Sequence, residues 1–164
     1  MSQLRDEAEA LATALNIGIC DVAEVIAWSD AQILREESPP RALCEVSVSH
    51  DCYPQDVAAL LRQCPGVPDR SRAQRLLLLL VCDKLTRDPG CADQVAKALF
   101  QMSIADEIED PKLKSVAWWA WDALDLADAG IIVESRKQIT DQMAAWLDEA
   151  TRSGSESWSY SFAS

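Results

Sequence analysis

Histidine occurs once in this chain, at His50, and that scarcity removes most enzyme chemistry. A helical metal hydrolase wants several inward histidines and aspartates, and a di-iron bundle wants paired Glu-x-x-His motifs; neither pattern is here. Cys44, His50, Cys52 and Cys64 are zinc-type ligands by chemistry, but their separations match no paired CxxC or HxxxH arrangement. A Cys–His nucleophile pair would lack any group to orient the imidazole or build an oxyanion site. His50 is therefore expected in a surface loop beside a core cysteine. No glycine-rich phosphate loop of either common pattern occurs. The expectation is a protein without catalytic residues, metal or cofactor.

Glycine, at five residues, and proline, at seven, are sparse and sit mainly between periodic segments, where they punctuate helices. No apolar run approaches the roughly 18 residues a membrane span needs; the longest, Leu76 to Cys82, suits a buried helix face. Met1 to Ala10 is acidic and polar, without the basic and apolar regions of a signal peptide, so a cytoplasmic protein with no membrane contact is expected. Six cysteines in such a protein are expected as reduced, mostly buried thiols.

Positive charge is also in short supply. Against 27 acidic side chains stand 15 basic ones, a net charge of −12. Such a chain repels nucleic acid and anionic membranes and draws basic partners from a distance, though acidity also serves solubility alone.

What is present is helical periodicity, almost throughout. Hydrophobic residues make up 49% of 164 residues, enough for one globular domain. A first helix is expected over Gln3 to Leu15, with Leu4, Ala8, Leu11, Ala12 and Leu15 inward and a stop at Asn16 and Gly18. Asp21 caps a second, Val22 to Arg35, with Val22, Ile26, Ser29 and Ile33 inward. Pro39-Pro40 starts a third, Arg41 to Ser49, with Leu43, Val46 and Val48 apolar. Tyr53-Pro54 opens a fourth to Gln63, and Asp69 or Ser71 caps a fifth, Arg70 to Thr86, whose Leu76–Val81 run is apolar all round and suits a central post. A sixth runs from Ala92 to Ser103, a seventh starts at Pro111 and stops at Gly130, and an eighth runs from Glu134 to Thr151 with Ile139, Met143, Trp146 and Leu147 inward. The fold class is all-α: a bundle or stack of seven to eight short helices in antiparallel hairpins over 1–152, followed by a serine–aromatic tail, 153–164. In that tail Trp158, Tyr160 and Phe162 fall on one side if it is extended. It can dock on its own domain, fold over Trp118, or add to a partner's sheet edge.

The segment Asp106 to Ala129 carries the sharpest signal. Leu113, Val116, Ala120, Leu124 and Ala127 form one apolar stripe, while Trp118 falls on the opposite side between Asp122 and Asp125. An indole there is covered by a neighbouring helix or the tail, or it anchors another protein. Trp119 and Trp121 point elsewhere and edge the core. Asp106, Glu107, Glu109 and Asp110 precede the helix, either complementing its dipole or forming an acidic rim that Asp122, Asp125 and Asp128 continue. On the second helix, Trp28 lies opposite Ile26, and Asp30 is expected to accept hydrogen bonds from a helix N-terminus or an arginine.

Ala14-Leu15-Asn16-Ile17-Gly18-Ile19, then Val25-Ile26-Ala27-Trp28-Ser29-Asp30 and Pro39-Pro40, resemble small acidic all-helical bacterial immunity-type proteins of toxin–immunity systems. In their pattern a short LGL turn precedes a V-I-x-W-A-D helix and a Pro-Pro break. Here Ser29 replaces the alanine, and Ile17-Gly18-Ile19 replaces the leucine pair; the likeness covers the first third of the chain. It implies a protein that binds a cognate toxin, a basic one such as a nuclease, and blocks its active surface. Trp118, Asp122, Asp125, Asp106, Glu107, Glu109 and Asp110 are the candidate contact residues. A helical-repeat-like adaptor for a basic protein or peptide is the alternative. A small-molecule-binding helical regulator with its pocket near Trp119 and Trp121 is the third reading.

Overall fold

A computed structural model describes residues 2–105, 108, 111–133 and 135–152. These residues are all helical in their regular structure: α1 (Ser2–Asn16), α2 (Val22–Ile33), α3 (Arg41–Ser47), α4 (Pro54–Leu61), α5 (Arg70–Arg87), α6 (Ala92–Ile104), α7 (Pro111–Asp128) and α8 (Arg136–Arg152), with a 3-10 turn at Pro89–Cys91 before α6. They fall into two compact units; the first ends at Leu77 and the second begins at Leu78, inside α5. The tail, with Trp158, Tyr160 and Phe162, lies outside the described residues, as do Asp106, Glu107, Glu109 and Asp110.

In the first unit α1 packs on α4, α4 on α3, and α3 on α2. Leu4, Ala8, Leu11, Ala12 and Leu15 are all buried, as their spacing predicts. The helix ends where Gly18 takes a positive φ of 75°, a conformation that favours glycine. Asp21 closes a full capping box: its side chain accepts from the Glu24 amide at 2.8 Å, and Glu24 accepts from the Asp21 amide at 2.9 Å. Pro54 begins α4 at a position where its missing N–H costs nothing. Asp69 accepts from the Arg72 amide at the start of α5, its own amide donating to Asp6 at 2.7 Å.

The polar side of α1 is not a solvated face. Arg5, Asp6 and Glu7 are all buried. Charges out of water need partners, and each of these has one: Arg5 pairs with Glu9 at 2.9 Å, Asp6 with Arg72 at 3.3 Å, and Glu7 with Trp28. Trp28 is only 3% exposed, and its Nε1–H donates to Glu7 Oε2 at 3.1 Å. The inward stripe of α2 is accordingly rotated from Val22–Ile33 toward Val25, Ile26, Trp28 and Ser29; Val22 and Ile33 are half-buried. Indole volume outweighs the two aliphatic side chains for the interior position. Ser29 donates to the Leu43 carbonyl at 2.8 Å, tying α2 to α3.

Two smaller expectations are corrected. Val48 lies past the end of α3 and is 77% exposed, because the helix stops at Ser47 instead of Ser49. Asp30 is exposed and accepts from the Ser47 hydroxyl, so a serine fills the role assigned to a helix terminus or arginine.

In the second unit α6 packs on α7 and α7 on α8. Val95, Ala96, Leu99 and Met102 of α6 meet Val116, Ala117, Ala120 and Leu124 as its core, with Ile139, Met143 and Leu147 from α8. Gly130, at φ 69°, ends α7. Arg136, at the start of α8, donates to Asp128 at 2.8 Å and to Asp93 near the start of α6, linking three helices. Its bond to Asp93 is the main reason its guanidinium binds its proton more tightly than usual. Of the Leu76–Val81 run, Leu76, Leu77, Leu80 and Val81 are buried and the two residues between are half-buried.

Candidate functional site

α7 is long, alanine-rich and starts on Pro111, so it presents its large side chains at fixed angles from a close-packed backbone. Ala117, Ala120 and Ala123 let it approach its neighbours, and the three tryptophans are pushed to its flanks. Trp118 stands toward α6. Its ring meets Phe100 edge-on with centroids 4.7 Å apart, and its Nε1–H donates to Ser103 Oγ at 2.8 Å. Even so, it is 51% exposed. Of the coverings expected from the sequence, a neighbouring helix, α6, takes one edge of the indole, while about half of the residue stays exposed. Trp121, half-buried, stacks on the same Phe100 at 6.0 Å.

Asp122 lies one turn beyond Trp118, and Asp125 lies two turns beyond; both are exposed. Neither makes an ion pair or side-chain hydrogen bond among the described residues. Asp128 differs, since Arg136 already holds it. Trp118, Asp122 and Asp125 therefore share one face of one helix. The four acids before α7 lie outside the described residues.

Trp119 turns toward α8. With Ser115, Val116, Gln142 and Trp146 it lines a mainly apolar groove of about 310 Å³. Trp146, expected inward, is half-buried there, while its neighbours Met143 and Leu147 are sealed in the core. Sequence reasoning placed a possible pocket beside Trp119 and Trp121, but Trp121 belongs to the Phe100 side. The missed signal was spacing: Ser115 and Trp119, like Gln142 and Trp146, are four residues apart and share a face. Phe100 and Ser103, three apart on α6, support Trp118 by the same rule.

Among the described residues no group of three or more histidine, cysteine or carboxylate side chains is placed to hold a metal ion. His50 is exposed, and so is the neighbouring Cys52, which corrects the expected core cysteine. None of the six cysteines forms a disulfide; Cys20, Cys64 and Cys91 are buried, Cys82 is half-buried, and Cys44 and Cys52 are exposed, fewer buried than expected. Burial pushes the Cys64, Cys82 and Cys91 thiols above their ordinary range, the reverse of what a nucleophile requires. No described helix is long and apolar enough to cross a membrane. Comparison with known protein families, curated proteins and solved structures finds no match to this chain.

Proposed function

We propose that this chain is a non-catalytic acidic binding protein of the immunity type, which neutralises a cognate bacterial toxin by covering its active surface. The observation that carries the reading is the α7 face: a half-exposed Trp118 held in place by Phe100 and Ser103, beside Asp122 and Asp125, which have no cation partner among the described residues. An amphipathic ring with a polar rim is the usual form of an interface hot spot. Exposed carboxylates would speed encounter with a basic toxin such as a nuclease, while the anchored indole would slow its release. Asp106, Glu107, Glu109 and Asp110 remain candidate contact residues in this reading. The net charge of −12 disfavours direct contact with nucleic acid, and the partner is a protein in the same cytoplasm.

The test begins with the reading frame directly upstream, which should encode a large secreted protein with a variable C-terminal domain. That domain should bind the purified chain and lose its toxicity. Trp118→Ala removes one aromatic pair and one hydrogen bond, together about 1–3 kcal/mol of stability, so the helical spectrum should persist. Affinity should fall by about 2 kcal/mol or more, roughly thirtyfold. Unchanged affinity of the folded variant, or failure of the wild-type chain to bind that domain, overturns the reading.

The α7–α8 groove is the observation that favours a small-molecule regulator instead. Its 310 Å³ stands at the low end of ligand pockets, which run from about 300 to 1,000 Å³. That size suits a single side chain better than a cofactor.

A further inference from the structure

We propose that the groove between α7 and α8 receives the guanidinium of an arginine side chain, laid against the indoles of Trp119 and Trp146. The inference deepens the toxin-binding reading and rests on it for the source of the arginine: a basic partner protein.

Three independent features converge. The lining is two indoles, the aliphatic wall of Val116, and the polar ends of Ser115 and Gln142. Indole faces attract cations more strongly than other aromatic rings, and a guanidinium is flat, weakly hydrated and able to stack. The polar ends can accept what a guanidinium donates. Ser115 Oγ gives its proton to the Pro111 carbonyl at 3.1 Å and keeps its lone pairs, while the Gln142 amide has no partner among the described residues.

The third feature is where uncompensated negative charge sits. In the second unit Asp83 pairs with Arg87, Asp93 and Asp128 with Arg136, Asp141 with Lys137, and Asp148 with Arg152. Asp88 accepts from the Gly90 amide. Asp122, Asp125 and Glu149 are left with no ion pair or side-chain hydrogen bond among the described residues. Asp122 stands one turn beyond Trp119 on α7, and Glu149 one turn beyond Trp146 on α8. Each tryptophan of the groove therefore has, one turn along its own helix, a carboxylate without an ion pair among the described residues, Asp122 lying between the directions of Trp118 and Trp119. An anionic ligand would be repelled there, and an aliphatic one would leave those charges and the Gln142 amide unused.

The probe is N-acetyl-arginine N-methylamide, titrated into the full chain at low ionic strength while the indole N–H signals are followed by NMR. Trp119→Phe and Trp146→Phe assign the two signals. Both should shift saturably in the millimolar range, and the lysine, citrulline and leucine analogues should bind about tenfold more weakly. Asp122→Asn combined with Glu149→Gln changes only surface groups and should weaken the arginine probe severalfold without affecting the leucine one. A leucine or citrulline probe that binds as well as arginine overturns the proposal, as does the absence of saturable shifts with arginine. Because no toxin enters this titration, its failure leaves the Trp118 reading standing. Loss of that reading through Trp118→Ala would equally leave the groove result intact.

Discussion

Replacing Trp28 with phenylalanine tests how the first unit is held together. Trp28 is 3% exposed, and it donates to a Glu7 carboxylate that is itself 5% exposed. The other hydrogen-bond partner of that carboxylate is Gln3 Nε2, at 3.2 Å. Phenylalanine keeps most of the ring body but removes the donor and part of the volume. A hydrogen bond to a charged group contributes about 1.5–3 kcal/mol, and the lost ring atoms add a cavity cost, so the variant should lose about 2–4 kcal/mol. For a chain of this size each kcal/mol lowers Tm by about 2–4 °C, giving a fall of roughly 4–16 °C. Glu7→Leu alone should also destabilise. The pair Trp28→Phe with Glu7→Leu should lose clearly less than the sum, since no buried charge is then left unpaired. Denaturant unfolding followed by circular dichroism measures all three. A Trp28→Phe loss below about 0.5 kcal/mol, or strict additivity in the pair, would refute the argument that this bond anchors the buried acid.

Other outcomes follow from the same geometry. Asp122→Lys with Asp125→Lys should slow association with a basic toxin and reduce its salt dependence, with little change in dissociation; surface-plasmon kinetics at two ionic strengths read this directly. Asp21→Ala breaks a complete capping box and should cost about 0.5–2 kcal/mol in thermal melts. Iodoacetamide near neutral pH should modify Cys44 and Cys52 before Cys64, Cys82 and Cys91, as mass mapping would show. Burial raises the last three thiols, assisted by Asp148 at Cys82 and Asp88 at Cys91 and opposed by Arg5 at Cys64. The folded chain therefore holds these protons after the unfolded chain has released them. Their contribution is complete below the ordinary thiol pKa of about 8.5 and is lost as pH rises through the folded values, so melting temperature should drop on the alkaline side.

The helices were legible because amphipathic spacing and punctuation agree: Asp21, Pro54, Pro111, Gly18 and Gly130 all mark ends where the structure has them. Packing of polar residues was not legible. Asp6 and Glu7 look like a solvated face until the partners arrive from distant positions, Trp28 for Glu7, and Arg72 and the Asp69 amide for Asp6. Periodicity also misjudged Trp28, because a wheel counts apolar stripes and ignores that a large ring with one donor can occupy the interior beside a buried acid. On α7 the angles of Trp118 and Trp119 were readable from the sequence. What they point at depends on Phe100, Ser103 and Trp146, which belong to other helices and leave no local trace beside the tryptophans.

The Ser103 hydroxyl fixes the Trp118 ring before any visitor arrives. A visiting surface therefore meets a side chain whose rotamer freedom was already surrendered during folding. Immobilising such a group at an interface ordinarily costs about 0.5–1.5 kcal/mol, and here that term is largely absent from the encounter. It also follows that recognition cannot turn on the indole N–H, which is occupied inward. In the proposed complex, selectivity would come from the shape presented to the ring's open face, so a partner would have to match a rigid template instead of moulding it.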